Sequence, residues 1–573
     1  MIRNGAGSRE KWKDAGLTVL CVVAAWAALS VCFDFYYDLN DDMAMKDILS
    51  GTYTGIPDGH NIQMLYPLGW LLAFCYRFMP TVPWYGVFLC GCQFLALQSC
   101  LFCVVSRLEG RGKKMAAAIS LTAAALALFL YEFVFVQYTV TAALLVLAAM
   151  VRLFTCPSRE AAGWRLLRQL ITAALVGVAF YLRTEITLLL CPFLLLAAGW
   201  RIIKERQMLR GYAVFFLTTA LLMGLGLAAD GAAYASPEWR SFRQFFDERT
   251  RVYDFYGLPD YEKHRDFYDT IGIAEAEYTL LDNYNFDLDD EIDTKVMTQI
   301  ADYAASHQEP GAARRLYLSV YTYLYRFTHG QELIFDLLTV FSYFFLFRAA
   351  VRRRQGQLFR CLVILLTLRT ILWLFLLYRG RVPERITHPL YLAELIMLGL
   401  LFLQEGEAFG WKKYEKWAIL SLYVLVFVCT AAVHTGKVRE EYGGRETRNV
   451  QWQDWKAYCR EHPQRFYFLD VYSTVAYSEK MFGDCSPAYR NFDLLGGWCV
   501  KSPLAKAKRE AAECDSAQMA LAKGRALFVA DPMTKTWKAD FLPAYYRETG
   551  TEILMQEVDT CGRFSVYGIS EHK

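Results

Sequence analysis

A cluster of carboxylates follows the first apolar run of the chain. Asp38, Asp41, Asp42 and Asp47 lie in the segment YYDLNDDMAMKD. In the adjacent pair Asp41 and Asp42, each charge raises the pKa of the other, so one carboxylate is suited to take a proton from an attacking hydroxyl group. The same pair could hold a divalent cation such as Mg²⁺ or Mn²⁺. Alternatively, Asn40 and Asp41 only cap the start of a helix.

Two more acids and a histidine are candidates for the same site. Glu132 follows Tyr131 in one short loop, and Glu185 lies with Arg183 in the segment YLRTE of another. An ionised group beside an apolar run is costly unless it is paired or functional, so Arg183 and Glu185 either satisfy each other or bind substrate. His60 joins the carboxylates only if the turn PDGH folds back toward them, and otherwise it is a surface residue.

The elements that must position these side chains are mostly membrane helices. Of the 573 residues 55% are hydrophobic and 21% are charged, and the mean hydropathy is +0.19, which a soluble domain does not reach. Because a bilayer core needs roughly 20 apolar residues per helix, eleven spans are predicted. They lie at 15–33, 84–106, 115–131, 133–151, 168–182, 186–200, 211–230, 332–347, 361–378, 386–403 and 417–434.

Loop charges set the predicted topology. The stretch 62–79 carries Pro67, Gly69 and Arg77 between turn signals, and we expect it to lie on the membrane surface. Every second loop is then rich in Lys and Arg, which predicts a cytoplasmic N-terminus and a retained first helix. With 61 basic and 58 acidic residues, the chain has no basic excess that would favour nucleic acid.

One short outside loop breaks this charge rule. Arg379, Arg381 and Arg385 lie in RGRVPERITH, and His388 follows one helical turn later. Guanidinium groups bind phosphate oxygens in paired geometry, so a lipid phosphate is the natural counter-charge. The alternative is ordinary anchoring to phospholipid headgroups, or pairing with Glu384.

Three large pieces are predicted outside the membrane. The first, 34–83, should hold two interfacial helices, one over 42–50 with its acids toward water and one over 65–79. The second, 231–331, should fold as a helical cap, and its acid run from Asn283 to Asp293 should be solvated. The tail, 435–573, alternates helix and strand signals, with strands at 465–472, 525–531 and 563–569, and is predicted to be a small α/β domain.

The layout resembles the GT-C class of membrane glycosyltransferases, in particular its protein mannosyltransferase and aminoarabinose transferase branch. In that branch an acidic pair in the first outside loop precedes a His/Pro-Pro-Leu-Tyr-like stretch on an interfacial helix. Asn40-Asp41-Asp42, His60 and the stretch YPLGW at 66–70 occupy similar places here, with Pro67 alone where the family often has two prolines. The similarity covers about the first 230 residues in pattern and the remainder in architecture.

The resemblance implies a fold and an activity. The fold would be a polytopic α-helical membrane protein of about eleven helices, with a transmembrane domain at 1–434 and an extracytoplasmic α/β domain at 435–573. The activity would be inverting transfer of a sugar from a polyprenyl-phosphate donor to a glycan, lipid or protein acceptor on the outer face of a cell membrane, in a bacterium. Asp41 or Asp42 would be the base, and His60, Glu132, Arg183, Glu185, Arg379, Arg381, Arg385 and His388 would bind substrate.

Two other functions fit the same residues. A transporter or flippase of lipid-linked sugars would bind the same anion without chemistry, although the sequence has no evident inverted repeat. A membrane scaffold for assembly of cell-envelope polymers would need neither the acids nor the arginines.

Overall fold

A computed structural model describes residues 8–157, 161–329, 332–406, 411–483, 490–534 and 541–571. Within these ranges, ten helices are long and apolar enough to cross a membrane, and the shorter apolar helix α6 completes the bundle. These helices are α1 (Ser8–Cys32), α4 (Trp84–Val105), α5 (Arg111–Val134), α6 (Tyr138–Phe154), α7 (Ala162–Leu182), α8 (Thr184–Lys204), α9 (Met208–Ala233), α15 (Leu333–Arg352), α16 (Gly356–Tyr378), α17 (Glu384–Glu405) and α18 (Lys413–Glu461).

Helix α6 forms the centre of the bundle. It has 17 residues, nearly all of them buried, and it packs against α4, α7, α8 and α17. A helix surrounded by protein on every side can be apolar all round without facing lipid. With α6 included, each of the eleven predicted spans corresponds to a helix. The predicted fold class, a polytopic α-helical membrane protein with a C-terminal α/β domain, is confirmed.

The first loop contains two short helices, α2 (Asn40–Ser50) and α3 (Tyr66–Phe78). Helix α3 has 13 residues, about 20 Å, which is too short to cross a bilayer core. The expectation that α2 turns its acids to water is wrong. Asp42, Lys46 and Asp47 are all buried, because Tyr85 and Tyr138 of the bundle cover Asp42 and the C-terminal domain covers Lys46 and Asp47.

The cap consists of α10 (Pro237–Thr250), a π-helical turn (Arg251–Tyr256), α11 (Arg265–Ile271), α12 (Glu275–Asp282), a 3-10 turn (Phe286–Leu288), α13 (Thr294–Ser306) and α14 (Ala312–His329). Helix α14 packs against α16 through polar groups. The Tyr323 hydroxyl accepts a hydrogen bond from the Arg369 guanidinium, and the Arg315 guanidinium lies 5.0 Å from the centroid of the Tyr378 ring. Its exposed face is apolar and includes Leu316 and Leu324. This orientation, apolar side outward, is the one expected of a helix that faces lipid.

The tail folds around a five-stranded sheet in the order β4-β3-β5-β7-β6. Its strands are β3 (Phe466–Leu469), β4 (Phe492–Leu494), β5 (Ala526–Ala530), β6 (Ile553–Cys561) and β7 (Phe564–Glu571), and its helices are α19 (Val471–Thr474), α20 (Pro503–Ala511), α21 (Ala517–Ala522) and α22 (Phe541–Glu548). Strands β4, β3 and β5 are parallel, whereas β7 is antiparallel to both β5 and β6. The three predicted strands are present as β3, β5 and β7. Apolar side chains of the cap, such as Phe286 and Leu288, share one core with Phe468 and Phe528 of the sheet.

Helix α18 joins the last span to the sheet without a break. It has 49 residues, and the predicted domain boundary at 434 falls inside it. Beyond the apolar part, Val438, Arg445, Trp452 and Cys459 are buried at helical spacing, so the same helix continues as an amphipathic one packed on the extramembrane pieces. Pairs such as Glu441 with Arg445, four residues apart, support this polar stretch.

The basic turns converge at the end of the bundle opposite α2. Ion pairs connect the helix ends there: Lys114 with Asp14 at 2.6 Å, Lys204 with Glu405 at 2.9 Å, and Arg348 with Glu415 at 2.7 Å. The bundle therefore has one strongly basic end and one end that carries the carboxylates and the cap.

We predict that the basic end faces the cytoplasm, because Lys and Arg concentrate in cytoplasmic loops. In a bacterial host, alkaline phosphatase fused after Lys573 should be active, and phosphatase fused after Arg353 should be inactive. Green fluorescent protein fused at the same positions should show the reverse pattern. Active phosphatase after Arg353 would contradict this orientation.

Candidate functional site

The start of α2 is fixed by backbone pairing at one end of the bundle. Strand β1 (Tyr36–Tyr37) pairs in parallel with β2 (Phe135–Val136), which directly follows α5. The next amide, of Asp38, donates to the Val136 carbonyl at 3.0 Å. The first turn of α2, with Asp41 and Asp42, is thereby placed beside the ends of α5 and α6.

Asp42 is an anchored carboxyl group. It is 0% exposed, and its Oδ1 accepts from the Tyr85 hydroxyl at 2.9 Å and from the Tyr138 backbone N–H at 3.3 Å. Burial raises the pKa of Asp42 well above its ordinary value, and the charges of Asp41 and Asp38 raise it further. The neutral acid is therefore favoured, and this side chain holds α2 against α4 and α6.

Asp41 is the available member of the pair. It is half-buried and accepts no hydrogen bond from any described residue. Burial raises its pKa, while the charges of Arg385, Arg183 and Arg249 lower it and that of Asp254 raises it. Cations from three different parts of the chain therefore act on the Asp41 carboxyl group.

The three cations differ in how they are paired. Arg385, in the first turn of α17, is half-buried and forms no hydrogen bond or ion pair among the described residues. Arg183, between α7 and α8, donates to Gln63 at 2.7 Å and pairs with Glu185 at 3.0 Å. Arg249 of the cap is bonded to the Tyr284 hydroxyl. Of these three arginines, Arg385 consequently has the guanidinium group that is most available to bind an anionic ligand.

The other two arginines of the loop contact the cap. Arg381 pairs with Asp254 at 2.8 Å, and the Arg379 guanidinium lies 4.6 Å from the Phe255 ring centroid. Both contacts reach the π-helical turn 251–256, so the loop 379–383 and the cap are fastened together beside Asp41.

Glu132 and His388 pair with each other. Glu132 Oε1 lies 2.5 Å from His388 Nδ1, and His388 Nε2 lies 4.0 Å from Glu332. A kink in α5 at Phe129, whose φ and ψ are −126° and 27°, accompanies the placement of Glu132. A cleft beside this pair has an otherwise apolar lining that includes Leu147 and Leu392.

His60 lies in a different environment from the carboxylates. Its ring stacks on Trp239 at 4.5 Å, its Nδ1 is 2.7 Å from Asp58, and Tyr66 and Tyr234 lie against it. These contacts fasten the first loop to α9 and α10. The charges of Arg183 and Arg385 thus act on Asp41, whereas His60 lies in an aromatic cluster.

Several charged residues at or near the site have no signal in the local sequence. Arg249 and Asp254 come from the cap, and Arg445 of α18 binds Asp38 at 2.7 Å. Inside the membrane helices, Arg369 is 2% exposed and pairs with Asp336 at 3.2 Å and Glu394 at 2.9 Å. The sequence signal for the ion pairs of Arg369 is the presence of charged residues within apolar runs, because a charge inside the membrane must be paired.

A metal site is not evident from these contacts. In the part of the chain that the structure describes, no three His, Cys, Asp or Glu side chains are grouped so as to hold a metal ion. The charges around Asp41 are mostly guanidinium groups, which would compete with a divalent cation. Dependence on Mg²⁺ or Mn²⁺ stays a prediction to be tested with chelator.

We predict that Asp42 is structural in its neutral form. Asp42→Asn keeps an acceptor for Tyr85 and Tyr138 and should leave the melting temperature in detergent nearly unchanged. Asp42→Ala leaves a buried hydroxyl and amide unsatisfied and should cost about 1–3 kcal/mol. Asp41→Ala is the matched control and should cost little, because Asp41 accepts no hydrogen bond within the part of the chain that the structure describes. Equal destabilisation by all three would contradict this division of roles.

Comparison with known proteins gives one weak similarity. No protein-family model matches the chain, and no curated protein is significantly similar to it. Among solved structures, the crystal structure of ArnT from Cupriavidus metallidurans bound to undecaprenyl phosphate aligns with a TM-score of 0.41 and 14% identity, over 96% of this chain and 98% of that one.

Proposed function

We propose that the protein is a membrane glycosyltransferase that moves a sugar from a polyprenyl-phosphate donor to an acceptor, with inversion at the anomeric carbon. One observation carries the proposal: among the residues that the structure describes, Asp41 accepts no hydrogen bond and Arg385 forms no ion pair, and the charge of Arg385 is the strongest of those that lower the pKa of Asp41. A free carboxylate beside a free guanidinium supplies the two groups that this transfer needs, a base and a phosphate-binding cation.

The donor phosphate is assigned to Arg385 and Arg183. A guanidinium offers several N–H donors in a rigid plane and binds phosphate oxygens in pairs. Arg183 is already oriented by Gln63 and Glu185, so little conformational entropy is lost when it binds. Arg379 and Arg381 are assigned to holding the cap over the bound phosphate, in keeping with their contacts to Phe255 and Asp254.

The proposed transfer step uses these residues as follows. The acceptor hydroxyl oxygen attacks the anomeric carbon, and Asp41 takes the hydroxyl proton. The bond between the anomeric carbon and the phosphate oxygen breaks, and the polyprenyl phosphate departs with the bonding electrons. Arg385 and Arg183 stabilise the negative charge that develops on the leaving oxygen.

The remaining predicted residues receive supporting roles. Glu132 and His388 pair with each other and join α5 to α17. Glu185, whose side chain is 72% exposed, holds Arg183. His60 acts through the fastening of the first loop rather than by contact with substrate.

The acceptor and the membrane face complete the proposal. With the carboxylate end outside the cytoplasm, the acceptor is a glycan, lipid or protein of the cell envelope, and the C-terminal domain lies beside the site. Undecaprenyl phosphate, which ArnT binds, is the first donor lipid to test.

We predict that purified protein in detergent consumes radiolabelled polyprenyl-phosphate sugar and that Asp41→Asn lowers kcat by about 10²- to 10⁴-fold, the usual contribution of a general base. Donor binding should survive this change. Arg385→Ala should weaken both binding and turnover, and Arg381→Ala should have a smaller effect because Arg381 is occupied by Asp254. The assay is run with and without EDTA.

Exposed residues provide the matched controls. Asp269→Asn on the cap and Arg360→Ala at the basic end should behave like the native chain, because both side chains are exposed. Donor that binds without being consumed would favour a transporter or flippase. No binding across a panel of donor sugars, with all variants alike, would favour a scaffold.

We also predict a signed pH dependence. Because burial raises the pKa of Asp41, the rate should rise with pH along an acid limb that lies above that of an ordinary carboxyl group. Arg385 lowers this pKa, so Arg385→Ala should move the limb to higher pH. Asp254 raises it, so Asp254→Asn should move the limb to lower pH. Profiles of kcat/KM against pH measure both shifts, and displacement of both variants in the same direction would contradict the assignment.

A further inference from the structure

A buried ion cluster joins α2 to the C-terminal domain. Lys46 of α2 binds Glu479 and lies 2.9 Å from Asp47. Arg490 lies 2.5 Å from Asp47 and 3.1 Å from Glu479, and Lys456 lies 3.1 Å from Glu479. We call these five residues the α2 clamp. Its side chains are between 2% and 16% exposed, so solvent and salt screen the attraction between their charges only weakly.

The clamp acts on the helix that carries the proposed base. Lys46 follows Asp42 by four residues and Asp41 by five, so about one turn of α2 separates the clamp from both carboxylates. Helix α2 has only 11 residues and ends at Gly51, whose φ is 81°. A helix of three turns moves nearly as a unit, so a shift at Lys46 is transmitted to the first turn, where Asp42 holds α2 on Tyr85 and Tyr138 and Asp41 lies beside it.

Backbone pairing joins the same two segments. The Tyr37 amide donates to the Glu479 carbonyl at 3.2 Å, and the Met481 amide donates to the Phe35 carbonyl at 2.8 Å. Tyr36 and Lys480 form an antiparallel bridge. The strand that leads into α2 therefore lies between β2 of the bundle on one side and residues 479–481 of the tail on the other.

Glu479 is the central member of the clamp. It contacts all three of its cations and also accepts from the Trp452 indole N–H at 2.8 Å. Burial alone would raise the pKa of Glu479, but Lys46, Lys456 and Arg490 hold it well below its usual range. Loss of this one charge would leave three buried cations facing the single carboxylate of Asp47, and their repulsion would act directly on α2.

The C-terminal domain has other attachments that do not involve the clamp. Arg509 binds Asp287 of the cap and lies 3.3 Å from Asp493, which also accepts from Tyr53. The cap and the sheet share a continuous apolar core. A change at Glu479 should therefore loosen α2 while the domain stays seated on the cap.

We propose that Glu479 is a positioning residue: through Lys46 and Arg490 the C-terminal domain sets the place of Asp41. The effect on catalysis rests on the proposed function, whereas the effect on α2 does not. A displacement of about 1 Å between a base and its substrate can lower the rate about 100-fold, so a small movement of α2 at the clamp is enough to change turnover.

The test compares Glu479→Gln, Lys46→Met and the double variant in the full chain, with Glu510→Gln as the matched control because Glu510 is exposed and only loosely paired. Hydrogen–deuterium exchange follows the amides of α2 and those of β3 and β5. Donor turnover gives kcat and KM separately. Lys46→Met leaves the C-terminal domain unaltered and serves if Glu479→Gln does not fold.

We expect at least tenfold faster exchange in α2, unchanged exchange in β3 and β5, and a kcat that falls about 10- to 100-fold while KM for the donor changes less than threefold. The double variant should be no slower than the worse single variant, because both changes break one connection. Unchanged exchange in α2, or equal loosening of α2 and the sheet, would overturn the proposal. So would a rise in KM at constant kcat.

If native protein consumes no donor, the proposed glycosyltransferase function fails. The hydrogen–deuterium exchange measurements still test whether the α2 clamp positions α2. Faster exchange confined to α2 would then support the clamp as the anchor of this helix, and exchange equal to that of Glu510→Gln would overturn it.

Discussion

The hydrogen bonds and ion pair of Arg445 hold the chain where it leaves the membrane. One guanidinium donates to the carbonyls of Tyr37 and Asp38 at 2.9 and 2.8 Å and to the Asp38 carboxylate at 2.7 Å, and it lies 4.5 Å from the Phe135 ring centroid. It thereby joins α18, β1 and β2 at one point. Helix α2 begins two residues later, so the direction of that helix, and with it the exposure of Asp41, depends on this contact.

The extramembrane pieces are joined by charge as well as by apolar packing. The α2 clamp joins the first loop to the tail, and Arg509 joins the tail to the cap through Asp287. Buried ion pairs add little net stability once desolvation is counted, but an unpaired member is severely penalised, so they select one arrangement of the pieces over others. A site assembled from α2, α17 and the cap needs such selection, because its groups are far apart in sequence.

The sequence was most informative about features that depend on residues close together in the chain. Lipid demands about 20 apolar residues per helix, so every span could be located, and the stretch 62–79, interrupted by Pro67, Gly69 and Arg77, was excluded as a span by the distribution of loop charges. The acid pair and the loop of Arg385 were also evident, the first by adjacency and the second by its departure from the charge rule. That Asp41 and Asp42 differ was not, because the difference arises from Tyr85 and the Tyr138 amide, which lie in other helices.

Long-range pairing accounts for most of what the sequence did not reveal. The acid run in the cap suggested solvated residues, yet Asp287 is buried against Arg509, more than 200 residues away. The acids of α2 were expected to face water, yet Asp47 is covered by the tail and Asp42 by Tyr85 and Tyr138 of the bundle. Arg249 and Asp254 carry no local pattern that distinguishes them from other charged residues of the cap.

The unbroken helix α18 has a mechanical consequence. Its 49 residues extend about 74 Å, more than twice the thickness of a bilayer core, and its outer part carries Arg445 and Trp452, which contact the first loop and Glu479. A tilt of about 5° over that length displaces the far end by about 6 Å. Tilting is one way in which a spanning helix adjusts to a change in bilayer thickness, and a tilt of α18 would therefore displace the segment that carries the carboxylates.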